Sequence, residues 1–172
     1  MKAYGRRVLA PVLWPVFALG VVFWFPPVAA AQQPGRVWTL EPAGATADGR
    51  VRLSYGAPET DDTVVRFSCA PASGVVNVLI LHTQQRMTRG ARATARLSAG
   101  QSRWSIRGKI LANDESLDES FAGSAASDPA RFMKLAASEQ LKLAVGRGPA
   151  QTVPLAGASD NFRRFSLLCA KP

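Results

Sequence analysis

The sequence holds a single histidine and two cysteines, and these shortages exclude several kinds of functional site. One histidine cannot build a multi-histidine metal centre, and any Ser-His-Asp or Cys-His catalytic site would have to use His82. We interpret His82, at the end of an apolar run, as a structural or surface residue. The chain has neither a CxxC redox motif nor an EF-hand calcium loop. We therefore predict no metal, no cofactor and no catalytic residue, and we expect a protein that is not an enzyme.

The acidic residues leave one enzymatic alternative open. Those from Glu59 to Asp62 are typical of a solvated hairpin loop, with calcium binding as the alternative interpretation. Those from Asp114 to Glu119 could supply a carboxylate pair for glycosidase chemistry, although such a pair is defined by its separation in space. A charged loop is the favoured interpretation of this second group. A carboxylate-dependent envelope hydrolase is accordingly the alternative function.

The amino-terminal segment has the pattern of an export signal. Basic residues precede an uncharged run from Val8 to Phe25, and Ala29-Ala30-Ala31 forms a small-x-small cleavage site before Gln32. We therefore expect residues 1–31 to be a signal peptide and residues 32–172 to be a single exported β-rich domain. The predicted location is periplasmic or secreted, with no membrane span after signal cleavage.

The competing interpretation of this segment is an uncleaved anchor. As a helix, the uncharged run from Val8 to Ala31 would measure about 36 Å, enough to cross a hydrocarbon core of about 30 Å. Pro11 and Pro15 disfavour one continuous helix, and the alanine run fits a processing site better than a membrane exit. No cysteine lies near the cleavage site, which excludes a lipid anchor on an amino-terminal cysteine.

The two cysteines, Cys69 and Cys169, are expected to form a disulfide bond. In an oxidising compartment a lone pair of cysteines usually forms a bridge. The alternative is two reduced, buried thiols. A bridge would close a loop of about 100 residues, to which the chain-entropy model assigns about 4–5 kcal/mol. This interpretation makes the pair a structural feature and not a reactive site.

Alternating apolar and polar residues predict a mainly β fold. Period-two patterns occur from Arg50 to Tyr55, from Thr63 to Cys69 and in several later segments. Asp128-Pro129 predicts the start of a short helix, and Ser159 or Asp160 predicts the cap of a second one. Turn signals recur every 8–12 residues. The predicted architecture is an antiparallel β-sandwich or open barrel of about eight strands with two short helices.

Acidic residues are absent from Thr63 to Asn113, and this region is the source of the strongest functional signal. Its alternation predicts a hairpin of Ala91–Leu97 and Arg103–Leu111 whose outward side chains are basic. Facing like charges carry a cost, which either a partner or the acidic segment that follows should offset. Trp104 is expected on the opposite face, so a stacking platform for nucleic acid is missing. The candidate anion-binding face consists of Arg92, Arg96, Arg103, Arg107 and Lys109.

Two groups of motifs carry a family resemblance. The segment Leu53-Ser54-Tyr55-Gly56-x-Pro58-Glu59-Thr60-Asp61-Asp62, followed by Phe67-Ser68-Cys69, resembles a group of small exported proteobacterial proteins that has no assigned activity. Leu141-x-Leu143, Val153-x-Leu155-x-Gly157 and the final Phe162, Phe165 and Cys169 support it. The layout is also loosely similar to type VI secretion-associated exported proteins. The resemblance implies a periplasmic or secreted β-domain and brings no catalytic residue.

These observations favour a non-enzymatic exported binding or accessory domain of the bacterial cell envelope. The formal net charge is +9, and signal cleavage would remove three basic residues and leave a domain that is still basic. A basic exported domain favours an anionic partner, either an envelope polymer or an acidic protein. No nucleic acid is expected. Solubility alone would also account for a basic composition.

Overall fold

The structure is a computed structural model that describes residues 35–60, 62–81, 83, 87–112 and 119–172. The predicted signal peptide, His82 and most of the acidic segment before Glu119 lie outside the described residues. In the described part, nine antiparallel strands form one curled, half-barrel sheet with two helices. The strands are β1 (Val37–Glu41), β2 (Val51–Gly56), β3 (Thr63–Cys69), β4 (Val75–Ile80), β5 (Arg92–Ala99), β6 (Ser102–Ala112), β7 (Glu119–Ala126), β8 (Gln140–Val145) and β9 (Gln151–Pro154); the helices are α1 (Pro129–Ala136) and α2 (Ser159–Cys169).

The prediction of a mainly β fold with two short helices is confirmed, and the open barrel is the architecture that forms. The described strands belong to a single sheet with the order β1-β2-β3-β4-β7-β6-β5-β8-β9. The strand that raises the predicted number from eight to nine is β7. Its sequence, Glu-Ser-Phe-Ala-Gly-Ser-Ala-Ala, is poor in the β-branched residues that mark strands.

The sheet is apolar on the face that packs against α1 and α2, which is called the inner face here. Along β3, Val65, Phe67 and Cys69 are buried while the residues between them are partly exposed. The same alternation continues in β5 and β6, where Leu97 and Trp104 are buried partners across the hairpin. One face of the sheet therefore supplies the core, and the opposite, outer face is left to solvent.

Aromatic rings from the sheet and both helices meet at the centre of the core. The Phe132 ring of α1 lies 5.4 Å from the Trp104 ring of β6 and 5.7 Å from the Phe67 ring of β3, measured between centroids. The Phe162 ring of α2 lies 4.8 Å from the Trp38 ring of β1, edge to face. Such edge-on contacts add about 0.5–1.5 kcal/mol each to the burial of the rings.

The two edges of the sheet approach each other at one end. The indole Nε1 of Trp38 in β1 donates a hydrogen bond of 2.8 Å to the carbonyl oxygen of Pro154 in β9. Asn161 of α2 donates to the carbonyl oxygen of Trp38 at 3.1 Å. These contacts hold the half-barrel curled around the helices.

The predicted disulfide bond between Cys69 and Cys169 is confirmed. It joins the end of β3 to the last residue of α2, with 5.8 Å between the two Cα atoms. The turn after β3 continues the attachment, because the amides of Ala72 and Gly74 donate to the carbonyl oxygens of Leu168 and Cys169. The carboxyl end of α2 is thereby fixed to the sheet by a covalent bond and two hydrogen bonds.

The helix starts follow the prediction in one case and differ from it in the other. Asp128 caps α1 and accepts a hydrogen bond from the Arg131 amide at 3.1 Å, with Pro129 in the first turn. The residue at the cap of α2 is Ala158, not Ser159 or Asp160, and it makes no side-chain cap bond. Asp160 lies instead in the first turn, where a carboxylate is favourable to the helix dipole. In the described ranges, neither helix is long and apolar enough to cross a membrane.

Candidate functional site

The hairpin of β5 and β6 places the predicted basic residues. A two-residue connection, Gly100-Gln101, joins the strands, and Gly100 has a φ of +55°, which a side chain would disfavour. The turn fixes the register, so Leu97 faces Trp104 and Ala95 faces Ile106 on the inner face. Because successive side chains of a strand alternate between faces, the residues between them point outward.

All five predicted cations are exposed on the outer face of this hairpin. Arg92 lies opposite Lys109, and the remaining cations lie opposite small polar residues: Arg107 opposite Thr94, Arg96 opposite Ser105, and Arg103 opposite Ser98. Only one pair of like charges therefore meets directly across the strands. The interleaved small residues leave the cations separated and accessible. The exposed set consists of Arg92, Arg96, Arg103, Arg107 and Lys109.

The five outer cations have no acidic partner among the described residues. Four basic residues elsewhere are held in salt bridges by nearby carboxylates, in the pairs Arg36–Asp62, Arg52–Asp48, Arg131–Asp128 and Arg163–Asp160. Among the residues that the structure describes, none of the five hairpin cations forms a salt bridge. Arg96 does donate from Nη2 to the carbonyl oxygen of Gly146 at 2.6 Å. The positive charge of the hairpin is thus uncompensated within these residues.

Two of these salt bridges also affect the titration of their carboxylates. The hydrogen bond from Arg52 holds the pKa of Asp48 below its ordinary value, and the bond from Arg163 does the same to the pKa of Asp160. Both carboxylates are exposed, and both remain ionised and engaged at neutral pH. Neither is available to balance the hairpin.

The basic area extends beyond the five predicted residues. Lys142 of β8 is exposed and is paired with Ser98 of β5, which places it on the same outer face. Arg66 of β3 also points outward, and its Nε donates to the Ser54 hydroxyl at 3.3 Å. Alternation within each strand indicates the outward direction of both side chains. The strand order places Lys142 directly beside the hairpin, whereas β4 and β7 lie between Arg66 and the hairpin.

A groove follows β7 on the outer face, beside the hairpin, and is called the outer groove here. Its volume is about 380 Å³. Ala122 in its floor is paired with Lys109 on one side and with Leu79 on the other. Short side chains on β7 leave the floor low between longer residues of β6 and β4. The residues that line the groove are Ser68, Asn77, Val78, Leu79, Arg107, Gly108, Lys109, Leu111, Ala122, Gly123 and Ser124.

On the inner side of the same strands, an aromatic ring compensates for two residues that lack side chains. Gly108 and Gly123 are paired across β6 and β7, and both lie beneath the ring of Phe121. A Cβ on Gly123 would come within 2.8 Å of the Phe121 Cζ atom and 2.7 Å of the Arg107 carbonyl oxygen. The ring therefore replaces the packing that the two missing side chains would supply.

A second cleft, of about 610 Å³, lies between the hairpin tip and α1. Arg103, Arg131 and Lys134 line it together with Asp128. Arg131 is already engaged, because its guanidinium lies 5.5 Å from the centroid of the Trp104 ring and its Nε lies 3.4 Å from Asp128 Oδ2. The cleft is therefore less free to accept an anion than the outer groove.

The acidic groups considered for metal binding or hydrolysis are only partly described. Asp62 is bound in two places by Arg36, whose Nε and Nη2 donate to the two carboxylate oxygens at 3.0 and 2.8 Å. Glu119 accepts a hydrogen bond of 2.5 Å from the Met87 amide. Asp61 and residues 113–118 lie outside the described residues. In the described ranges, no three potential metal-ligating side chains come together.

Trp104 lies where its alternation predicts. It is 4% exposed and packs against Phe132 on the inner face. The outer hairpin surface therefore presents cations and small polar residues without an aromatic ring from this position.

The comparisons with known proteins give one distant structural likeness. No family model and no curated protein match the chain. A search of solved structures finds the crystal structure of invasion associated protein B from Bartonella henselae, at 17% sequence identity and a TM-score of 0.43. The match covers 79% of this chain and 96% of that chain. At this level of similarity, no conclusion about function is drawn from it.

Proposed function

We propose that the chain is a non-enzymatic binding or accessory domain of the bacterial cell envelope that holds an anionic partner on its outer basic face. The observation that carries the proposal is the array of five exposed cations on β5 and β6. No carboxylate among the described residues pairs with them, whereas four arginines elsewhere are paired. Like charges on neighbouring strands are unfavourable without a counter-charge, so an anionic partner would relieve their repulsion.

The proposed location is the periplasm or the exterior of the cell. The amino-terminal pattern of residues 1–31 supports export, and the Cys69–Cys169 bond is compatible with an oxidising compartment. The intact mass of the protein isolated from periplasm or medium tests this proposal. We expect a chain that begins near Gln32. A mass that includes residues 1–31 would contradict cleavage and favour the anchor.

The experiment on binding compares two double charge reversals of equal size. Arg96→Glu with Arg107→Glu changes the outer face, and Arg164→Glu with Lys171→Glu changes exposed cations at α2 and the chain end. The probe is sodium polygalacturonate, and neutral dextran is the blank. Binding is measured by calorimetry at low and at high salt. We expect the outer-face variant to bind at least about tenfold more weakly, a difference of about 1.4 kcal/mol. The control should remain within about threefold of the parent.

Salt supplies an independent check on the same face. The Debye length falls from about 10 Å at 0.1 M to about 3 Å at 1 M, so exposed charges on the hairpin should attract a polyanion far less at high salt. An outer-face variant that binds polygalacturonate and anionic vesicles as well as the parent would overturn the proposal. Equal losses in both variants would also overturn it, because they would indicate dependence on net charge alone. Thermal unfolding of each variant verifies that the fold persists.

A further inference from the structure

We propose that the outer groove along β7 binds one extended chain of a linear acidic polysaccharide. This inference rests on the proposed function and names the class of its partner. It depends on three properties of the groove: its width, the pairing of its strands, and the groups on its walls.

The width of the groove favours an extended chain. Its walls come from β6 and β4, which lie on either side of β7, so their backbones are about 10 Å apart. Side chains on both walls narrow the opening further. An α-helix with its side chains is about 10–12 Å across and is too wide to enter.

The pairing of the strands disfavours an extended peptide. Peptides that lie along a sheet usually add a strand to an unpaired edge and bond through the main chain. β7 is instead the fifth strand in the order of nine, and it is paired with both β4 and β6. From Phe121 to Gly123 its main chain is paired on both sides within the sheet. A ligand in this groove must therefore be recognised by side chains.

The walls carry groups that suit an acidic sugar chain. Arg107 and Lys109 stand on the β6 wall and can bind carboxylates. Ser124 at the floor and Ser68 of β3, next to the β4 wall, present hydroxyls, and Asn77 of β4 presents an amide; these groups can exchange hydrogen bonds with sugar hydroxyls. Leu79 and the exposed Leu111, with 44% of its surface accessible, offer apolar contact to the faces of sugar rings. A linear acidic polysaccharide carries carboxylates, hydroxyls and apolar ring faces in a single chain.

The test fills the groove without changing any charge. Ser124→Trp places a large side chain at the floor, and Thr39→Trp is the control. Thr39 is an exposed residue of β1 on the outer face, it does not line the groove, and three strands separate β1 from β7. The probes are oligogalacturonates of increasing length, with polyglutamate and vesicles containing phosphatidylglycerol for comparison. Binding is measured at low salt, and thermal unfolding is measured for each variant.

We expect Ser124→Trp to weaken oligogalacturonate binding at least tenfold and Thr39→Trp to change it less than threefold. Affinity should rise with oligomer length until the oligomer spans the wall from Arg107 to Leu111, about 13 Å, and then level off. If charge reversal at Arg96 and Arg107 weakens binding but Ser124→Trp does not, the proposal that the groove binds the chain is wrong, while the proposal of binding on the basic face is supported. If charge reversal also has no effect, the proposed function itself fails. Equal blockage of polyglutamate by Ser124→Trp would overturn the choice of a sugar chain.

Discussion

The inner and outer faces of the same sheet have opposite composition, although they are built from alternate residues of the same strands. In β6, Trp104, Ile106 and Ile110 are almost fully buried, whereas Arg103, Arg107 and Lys109 are exposed. The inner face is closed by two helices, an aromatic cluster and a disulfide bond. Neither helix packs against the outer face, and the five cations of its hairpin have no salt-bridge partner among the described residues. We infer that stability and binding are separable properties here, each carried by one face.

The largest effect on stability should come from removing the disulfide bond on the inner side. Replacing Cys69 and Cys169 by alanine releases a loop of 100 residues, and we expect a loss of about 4–5 kcal/mol in the free energy of unfolding. Urea denaturation measures it. Ser68→Ala, at the neighbouring outward position, should change stability by less than about 0.5 kcal/mol. Labelling of two free thiols in the folded, unreduced protein would contradict the structure.

The aromatic cluster gives the next largest effect. Phe132→Ala removes a fully buried ring that contacts Phe67 and Trp104, and we expect a loss of about 3–5 kcal/mol. Met133→Ala is a control on the same helix, because Met133 is 40% exposed and should matter little. Polygalacturonate affinity of the folded fraction should be unchanged in both variants. A change in affinity at Phe132 with unchanged stability would show that the two faces are not separable.

The smallest effect on stability should have the opposite sign. Lys109 lies directly opposite Arg92, so Lys109→Glu converts a repulsive cross-strand pair into an attractive one. We expect stability to rise by about 0.2–1 kcal/mol while polygalacturonate affinity falls. Lys109→Gln should give an intermediate result for both quantities. A fall in both stability and affinity would argue that the lysine supports the fold and would weaken the separation of roles.

The features of the two faces that depend on neighbouring residues can be predicted from the sequence. Alternation in β3 and β6 assigns each side chain to a face, and the short turn at Gly100 makes β5 and β6 neighbours with one register. The five cations therefore come together from the sequence alone. The pairing of Cys69 with Cys169 also follows, since the chain offers only these two cysteines.

The non-local parts could not be predicted in the same way. β7 pairs with β4, more than 40 positions earlier in the chain, and β8 pairs with β5 across the whole of β6, β7 and α1. The alternation of residues within a strand does not indicate which distant strand pairs with it. The outer groove depends on both neighbours of β7, and β7 itself has a weak strand signal. For this reason the cations were predictable while the groove beside them was not.

The bond between Cys69 and Cys169 has a consequence for the effect of proteolytic cleavage. A single cut anywhere between these two residues, for instance after the exposed Arg147 in the turn between β8 and β9, leaves both fragments covalently joined. The severed ends remain on strands that are paired with their neighbours, so the pieces stay at high local concentration and can keep the native arrangement. A nicked molecule would therefore migrate as one species in electrophoresis until the disulfide bond is reduced.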